Sequence, residues 1–317
     1  MTRFLLLGVA AAILVSSSGC LFHTRKVDVH QSTAPLQTAS LQELVDRVNS
    51  EAAKVQSLNA TVDIDTSVGG EKKGKITDYQ QISGYILLRR PSMIRMIGLF
   101  PLVRNKAFDM VSDGSEFKLS IPVKNKFYVG HNDVVRPGAT GLDALRPQAI
   151  YDALLLHRID STSDIAVLES SSETVVDKKT KQLVHQPTYV VDVIHKDDAD
   201  GRYYLNRKVI FDRSDLIPDT QIFYDKEGNV ATEARYQEYK DFNGTRLPSI
   251  IEIKRPQEEY EIRLTIVKAE LNRPLTDDQF ALQQPSGSQL IDLDQQPVNA
   301  ALPGTVSPSE AHGSQQH

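Results

Sequence analysis

Tyr260-Glu261-Ile262-Arg263-Leu264-Thr265-Ile266 is the stretch that decides the fold. Tyr260, Ile262, Leu264 and Ile266 fall on one side of an extended chain, and Glu261, Arg263 and Thr265 on the other. Successive side chains of a strand point to opposite faces. A strand buried on both sides would read as an unbroken apolar run, so this alternation belongs to an antiparallel sheet with one buried and one wet face. The strand is expected over Glu259 to Leu271.

The same period of two extends in both directions from that stretch. Upstream, Ile165 to Leu168, Thr188 to His195, Tyr203 to Asp212, Leu216 to Tyr224, Val230 to Tyr239 and Leu247 to Lys254 read as strands. Asp200-Gly201, Glu227-Gly228-Asn229 and Asn243-Gly244 supply the turns between them, with residues that tolerate the tight backbone of a hairpin. Nearer the amino terminus, Val62, Ile64 and Thr66 alternate with Asp63 and Asp65 until Gly69-Gly70 breaks the run. Tyr79 to Arg90 reads as one long strand stopped by Pro91. Asn105 to Ser112 and Ser115 to Ile121 flank the hairpin turn Asp113-Gly114, and Val123 to Gly130 continues the meander.

Two segments carry the helical period instead. Ser40 with Glu43 forms a capping box, and Leu41, Leu44, Val45, Val48, Ala52 and Val55 recur at helical spacing, so a helix is expected from Leu41 to Ser57. A shorter one is expected from Gln148 to Arg158. Antiparallel strands with two helices predict a mainly β fold: a half-open antiparallel barrel, or strongly curved sheet, with the helices covering its concave face. Such a sheet encloses either an apolar cavity or a filled core, and the alternation pattern is the same for both.

The first residues form an export signal. Met1-Thr2-Arg3 is basic, Phe4 to Val15 is apolar, and Ser16-Ser17-Ser18-Gly19 leads to Cys20, the one cysteine in the chain. The apolar run is too short to span a bilayer, which needs roughly 20 residues, and it suits the core of a cleaved signal. A cysteine directly after the small residues resembles a lipobox, with Ser17 where leucine is usual. Only a thiol forms the thioether to diacylglycerol. Cys20 is therefore the expected lipidation site, carrying covalent diacylglycerol and an N-acyl chain, enough for stable anchoring. The expected organisation is a signal peptide over 1–19, a lipidated tether over 20–39, one β domain over 40–294 and a disordered tail over 295–317.

A net charge of −5 and a pI near 5.9 exclude nucleic acid, which calls for a basic surface. The 8 histidines are scattered, with no H-E-x-x-H or Cys/His pair. Asp197-Asp198-Ala199-Asp200-Gly201 has Lys196 in the first ligand position of a calcium loop and Arg207 in place of the closing glutamate. It reads as a solvated turn. No nucleophile elbow or phosphate loop is present. No metal, no other cofactor and no enzymatic activity are expected.

Met93-Ile94-Arg95-Met96-Ile97-Gly98-Leu99-Phe100-Pro101-Leu102-Val103-Arg104 is a dense apolar segment edged by basic residues. It is read in two ways, as a bend buried between core strands or as an exposed loop whose Leu99, Phe100 and Leu102 contact a membrane.

Leu88-Arg89-Arg90-Pro91 followed by Met93-Ile94-Arg95, then Val111-Ser112-Asp113-Gly114-Ser115-Glu116-Phe117, and finally Leu275-Thr276-Asp277-Asp278-Gln279-Phe280 with Pro285-Ser286-Gly287, occur in an order that resembles the LolA/LolB-like superfamily of periplasmic lipoprotein carriers and outer-membrane lipoprotein receptors. The resemblance covers about 40–290, although 130–186 follows no pattern of that family. It implies a half-open barrel that receives acyl chains in an apolar cavity, with a protruding hydrophobic loop in the receptor type. It further implies lipids, lipoproteins and a periplasmic carrier protein as partners. Cys20 favours the receptor type, and Leu21 in place of aspartate favours the periplasmic face of the outer membrane. The function expected is acyl-chain or lipoprotein binding, extending to insertion of lipoproteins into that membrane. The alternative is a structural or sensory envelope lipoprotein that binds a protein partner.

Cys20→Ser should leave an unprocessed precursor or release the protein from membranes, read by fractionation and by intact mass. Normal maturation with unchanged membrane association would remove the lipoprotein reading.

Overall fold

The computed structural model describes residues 30–31, 35–72, 74–134, 146–176, 181–197 and 199–295. The export signal, Cys20 and nearly all of the predicted tail lie outside the described residues. The chain divides into two compact units, one of Met1–Ala34 with Ser172–Gln186 and one of Pro35–Ser171 with Pro187–His317. In the smaller, β1 (His30–Gln31) pairs in parallel with Val184 and His185 of β10 (Leu183–Lys196).

The larger unit is built on one extensive sheet. Its remaining strands are β2 (Ser57–Gly70), β3 (Lys75–Asp78), β4 (Ile82–Arg89), β5 (Met93–Leu99), β6 (Lys106–Ser112), β7 (Glu116–Ile121), β8 (Lys126–His131), β9 (Asp164–Val176, in this unit as far as Ser171), β11 (Tyr203–Asp212), β12 (Pro218–Tyr224), β13 (Val230–Phe242), β14 (Thr245–Arg255), β15 (Tyr260–Leu271) and β16 (Gln289–Asp292). They lie in the order β10-β11-β12-β13-β14-β15-β2-β4-β5-β6-β7-β8-β16, so the sheet does not close on itself. Neighbours from β10 to β8 run antiparallel, and β16 joins β8 in parallel. The central pair is β15 with β2, where Leu264 faces Ile64 and Ile266 faces Val62. All four are buried, whereas Asp63, Asp65 and Arg263 of the same strands lie on the wetter face. The alternation that decided the fold thus selects which face is covered.

Two helices pack against strands of the sheet. Helix α1 (Leu41–Lys54) starts at the predicted capping box: Ser40 accepts from the Glu43 backbone, and the Glu43 carboxylate accepts the Ser40 N–H. Leu44 and Val48 are fully buried with Val191, Val209 and Phe211 of β10 and β11. Helix α2 (Pro147–Leu154) begins with a proline at its first turn, where no N–H is needed, and touches β5 and β6 as well as β13 and β14. One short helix therefore spans strands on both sides of the central pair.

Several expected boundaries move. Helix α1 ends at Lys54, not Ser57, because Ser57 already opens β2. Gly69-Gly70 does end β2, as its last two residues, paired with Ile76 and Lys75 at the hairpin with β3, and the Lys75 carbonyl comes within 2.0 Å of where a Gly69 Cβ would stand. Tyr79 to Arg90 is not one strand, since Tyr79 to Gln81 lie between β3 and β4. Val123 is not in a strand, because Pro122–Lys124 forms a single 3-10 turn closed by Asn125 in a left-handed conformation. The second helix stops at Leu154 rather than Arg158, for a reason given below. Neither β1, β3 nor β16 follows from the alternation; β16 is four residues long, too short for a period to show.

Val48→Asp should place a carboxylate at a fully buried position and destabilise the fold by about 3 kcal/mol or more, measured by urea or thermal unfolding. An unchanged melting temperature would show that α1 does not dock through this face.

Candidate functional site

Between α1, the segment after α2 and strands β12 to β14 lies a cavity of about 220 Å³. Leu154, Leu155 and Leu156 form one wall, with Ile217, Pro218, Tyr239 and Leu247 opposite and Val55 at the end of α1. Arg47, Lys54 and Arg246 line its exposed side, together with Glu51, which pairs with Lys54 at 2.7 Å. Apolar walls and a charged opening suit a ligand with an apolar body and a wet end.

The wall is held in place by its own backbone carbonyls. An eight-residue helix leaves its last C=O groups unbonded, and on a buried face these need donors. Tyr236 Oη donates to Ala153 at 2.8 Å, and Arg90 Nη2 to Leu156 at 2.7 Å. Arg207 Nη2 donates to His157 at 2.8 Å and Arg158 at 3.0 Å. Asn49 of α1 closes the series with Ile159, donating to its carbonyl at 3.2 Å and accepting its N–H at 2.8 Å. Side chains have taken over the partners a longer helix would have used, which is why α2 ends at Leu154. Arg90 also donates through Nε to Val55 at 2.8 Å, so one guanidinium ties the end of α1 to the segment that walls the cavity.

Beside the wall sits a half-buried polar pair. Asp152 accepts from Gln148 at 2.8 Å and faces His157 Nε2 at 3.3 Å. Burial, only partly offset by the Gln148 hydrogen bond and by Arg207 and Arg255, pushes the Asp152 carboxyl up to about 6. Burial, reinforced by Arg207 and Arg90, pushes the His157 imidazole down to about 3.

Several of the residues that carried the family resemblance contact one another away from the cavity. Arg89 donates to the Leu275 carbonyl at 2.7 Å, and its guanidinium lies 5.2 Å from the centre of the Phe280 ring. Arg95 grips Asp109 with two bonds, at 2.9 and 2.8 Å, and donates to the Gln279 carbonyl. Burial raises the Asp109 carboxyl, but the bonds from Arg95 and Lys106 outweigh it and hold the group below its ordinary range. Asp113 Oδ1 accepts the Ser115 and Glu116 N–H groups, and Gly114 turns with φ +102 against Ser92, where a Cβ would meet Ser92 Cβ at 2.5 Å.

Of the residues read as a membrane-contact loop, Leu99 ends β5 and Phe100 follows it, both half-buried, while Leu102 stands at the hairpin tip fully exposed. Phe100 accepts the Arg104 N–H at 3.1 Å and donates to Asn105 at 2.9 Å, which closes the turn behind Leu102. Val103, 66 % exposed, and Val123, 73 % exposed in the β7–β8 turn, were not expected in this role. Apolar residues within turn segments were the signal. Three histidines read as solitary find carboxylates through the fold: His131 with Asp294 at 2.7 Å, His195 with Asp164 at 2.7 Å, and His157 with Asp152. Among the described residues no group of three or more potential metal ligands gathers. Asp197 serves a turn, accepting the Ala199 N–H and pairing with Lys226.

A family model described as that of an uncharacterized protein matches residues 160–284. No curated relative matches the chain. The structure neighbours include a DUF1329 family protein from Desulfovibrio piger, at 13 % identity over 76 % of this chain and 95 % of that one, with a TM-score of 0.48. They also include a LolA superfamily protein from Nitrosomonas europaea, at 13 % identity over 77 % and 99 % with a TM-score of 0.47. A third is a putative outer membrane lipoprotein-sorting protein domain from Vibrio parahaemolyticus, at 12 % identity over 75 % and 94 % with a TM-score of 0.45.

The Asp152–His157 pair predicts a pH dependence. A raised Asp152 contributes stability that is complete below its ordinary value of 3.8 and is lost as pH rises through 6. A depressed His157 contributes stability that is complete above 6.5 and is lost as pH falls towards 3. Between about pH 4 and 6 the two slopes oppose. Asp152→Asn leaves the histidine slope alone, so on acidification across that window its melting temperature should fall faster than that of the parent. Parallel curves would show that Asp152 is not held protonated.

Proposed function

We propose that this chain is a lipid-anchored protein of the bacterial envelope that binds acyl chains of lipids or lipoproteins in the inner-face cavity. By extension, it delivers lipoproteins to the outer membrane. The observation that carries the reading is the cavity itself: about 220 Å³, walled by leucines and tyrosine, and open on its charged side. Each methylene buried there contributes about 0.8 kcal/mol, so binding strength rises with chain length and needs no specific polar contact.

Small-molecule sites usually span about 300–1,000 Å³. The cavity is below that range, so a full acyl chain requires the Leu154–Leu156 wall or the end of α1 to move outward. The two Arg90 bonds, to Val55 and Leu156, are the contacts such a movement breaks. A bilayer matches the cavity in apolarity, and contact with one therefore provides the competing site for release. Leu102, at the tip of the β5–β6 hairpin, is placed to make that contact, with Leu99 and Phe100 as its half-buried base. Cys20 holds the protein at the membrane in this reading, and no step calls for a catalytic group.

Native mass spectrometry of the protein lifted from membranes in mild detergent should find lipid bound to the folded chain. Leu247→Trp, which fills the cavity from a half-buried position, should lose that lipid with little change in melting temperature. A bare parent protein, or a variant that retains its lipid, would overturn the reading. Recovery of a stoichiometric protein partner in place of lipid would favour a sensory or structural role.

A further inference from the structure

The hairpins at one end of the sheet differ in chemistry from the rest of its edge. Leu99 pairs with Lys106, Asp109 with Ser120, and Ile121 with Lys126. The β5–β6 tip and the β7–β8 turn therefore leave the sheet in the same direction from adjacent hairpins, whose axes are about 10 Å apart at two strand spacings. Both present apolar residues to solvent: Leu102 fully, Val103 at 66 % and Val123 at 73 % exposed. No aspartate or glutamate occurs in 99–108 or 121–127. Arg104, Lys124 and Lys126 have no ion-pair partner among the described residues. Lys106 is the exception, held at 2.6 Å by Asp109. The β10–β11 and β12–β13 turns, at the same end of the sheet, are by contrast built from Asp197, Asp200, Asp225 and Asn229 and carry no large apolar group.

We propose that the β5–β6 tip and the β7–β8 turn together form a docking surface for a bilayer with anionic phospholipid headgroups. Leu102 and Val103 enter the acyl boundary, while Arg104, Lys124 and Lys126 lie on the headgroup phosphates. The inference deepens the proposed function, on which it rests, by naming the membrane chemistry that the delivery face recognises. The geometry sets the depths. Leu102 lies about three residues beyond the level of the β7–β8 turn, roughly 10 Å along the strand direction, and interfacial apolar residues sit about 5–10 Å into the headgroup and acyl boundary. When Leu102 is at that depth, Val123 and Lys124 are level with the phosphates. Solvation alone accounts for surface lysines, but not for three large aliphatic side chains held in turns without cover. Each cation close to an anionic surface gains about fivefold in partitioning, so removing two should weaken binding about 25-fold.

The test uses the chain expressed from residue 20 onward with Cys20→Ser, so that neither signal nor acyl groups contribute, in co-sedimentation with vesicles. Binding is expected to phosphatidylcholine vesicles containing phosphatidylglycerol, weakening as salt is raised, and much less to phosphatidylcholine alone. Lys124→Ser with Lys126→Ser should reduce it about 25-fold, and Leu102→Ser with Val103→Ser should also reduce it. Melting temperatures should stay within a few degrees of the parent, because surface changes act within about 0.5 kcal/mol. Equal binding to both vesicle types, no binding to either, or full binding by the lysine variant would overturn the proposal. So would tip variants that lose a protein partner but keep their vesicles. If docking fails while lipid remains in the cavity, the acyl-binding reading stands without this surface; an empty cavity with docking intact gives the opposite result.

Discussion

A helix of two turns laid on an apolar sheet face brings a fixed obligation with it, because every buried carbonyl left at its end must be met by a donor from elsewhere in the fold. Leaving one buried C=O unpaired costs about 1–3 kcal/mol, and the segment from Ala153 to Ile159 buries a succession of them. Tyr236, Arg90, Arg207 and Asn49 meet that demand from four separate elements. These bonds draw the residue after β4, together with β11, β13 and α1, onto one strip of backbone. The wall of the cavity is held by these hydrogen bonds together with the packing of Leu154 and Leu155 in the apolar core.

The three arginines around Pro91 show how adjacent residues serve different layers. Arg89 reaches outward to the closing segment at Leu275 and Phe280, Arg90 reaches inward to Val55 and Leu156, and Arg95 reaches across to Asp109 and Gln279. A guanidinium presents its donors in a fixed planar fork, so each can hold two carbonyls, or a carboxylate and a carbonyl, at once. Lysine in place of Arg90 would keep the charge and lose the simultaneous grip on α1 and the wall. The contacts that close the cavity are thus few, directional and carried largely by one side chain.

Inside and rim use opposite strategies with apolar groups. Within the sheet, Ile64, Leu88, Ile94 and Leu264 are removed from water by neighbours contributed from distant strands. At the β5–β6 and β7–β8 ends, Leu102, Val103 and Val123 receive no such cover. Exposed aliphatic tips flanked by unpaired cations have a physical rationale when another apolar phase supplies the cover. The proposed handling of acyl chains calls for both an interior that shelters them and an edge that meets the bilayer.

Local physics was readable from the residues themselves. The alternation at Tyr260–Ile266 determined strand, orientation and buried face, since a period of two has one structural meaning. Ser40 with Glu43 determined the start of α1, and Asp113-Gly114 determined a hairpin, because caps and turns depend on neighbours in the chain. The pairing of His131 with Asp294, separated by 163 residues, depended instead on strand order, which no local pattern encodes. The end of α2 at Leu154, the cavity behind Leu155, and the shift of Asp152 and His157 in opposite directions were likewise decided by the tertiary structure. Each depends on donors, charges and burial that arrive from other strands. The apolar segment at Leu99–Leu102 lies between the two cases. Its composition was evident, but only the hairpin geometry separated the half-buried Leu99 and Phe100 from the exposed Leu102, because burial is set by what packs against a side chain and not by its own chemistry.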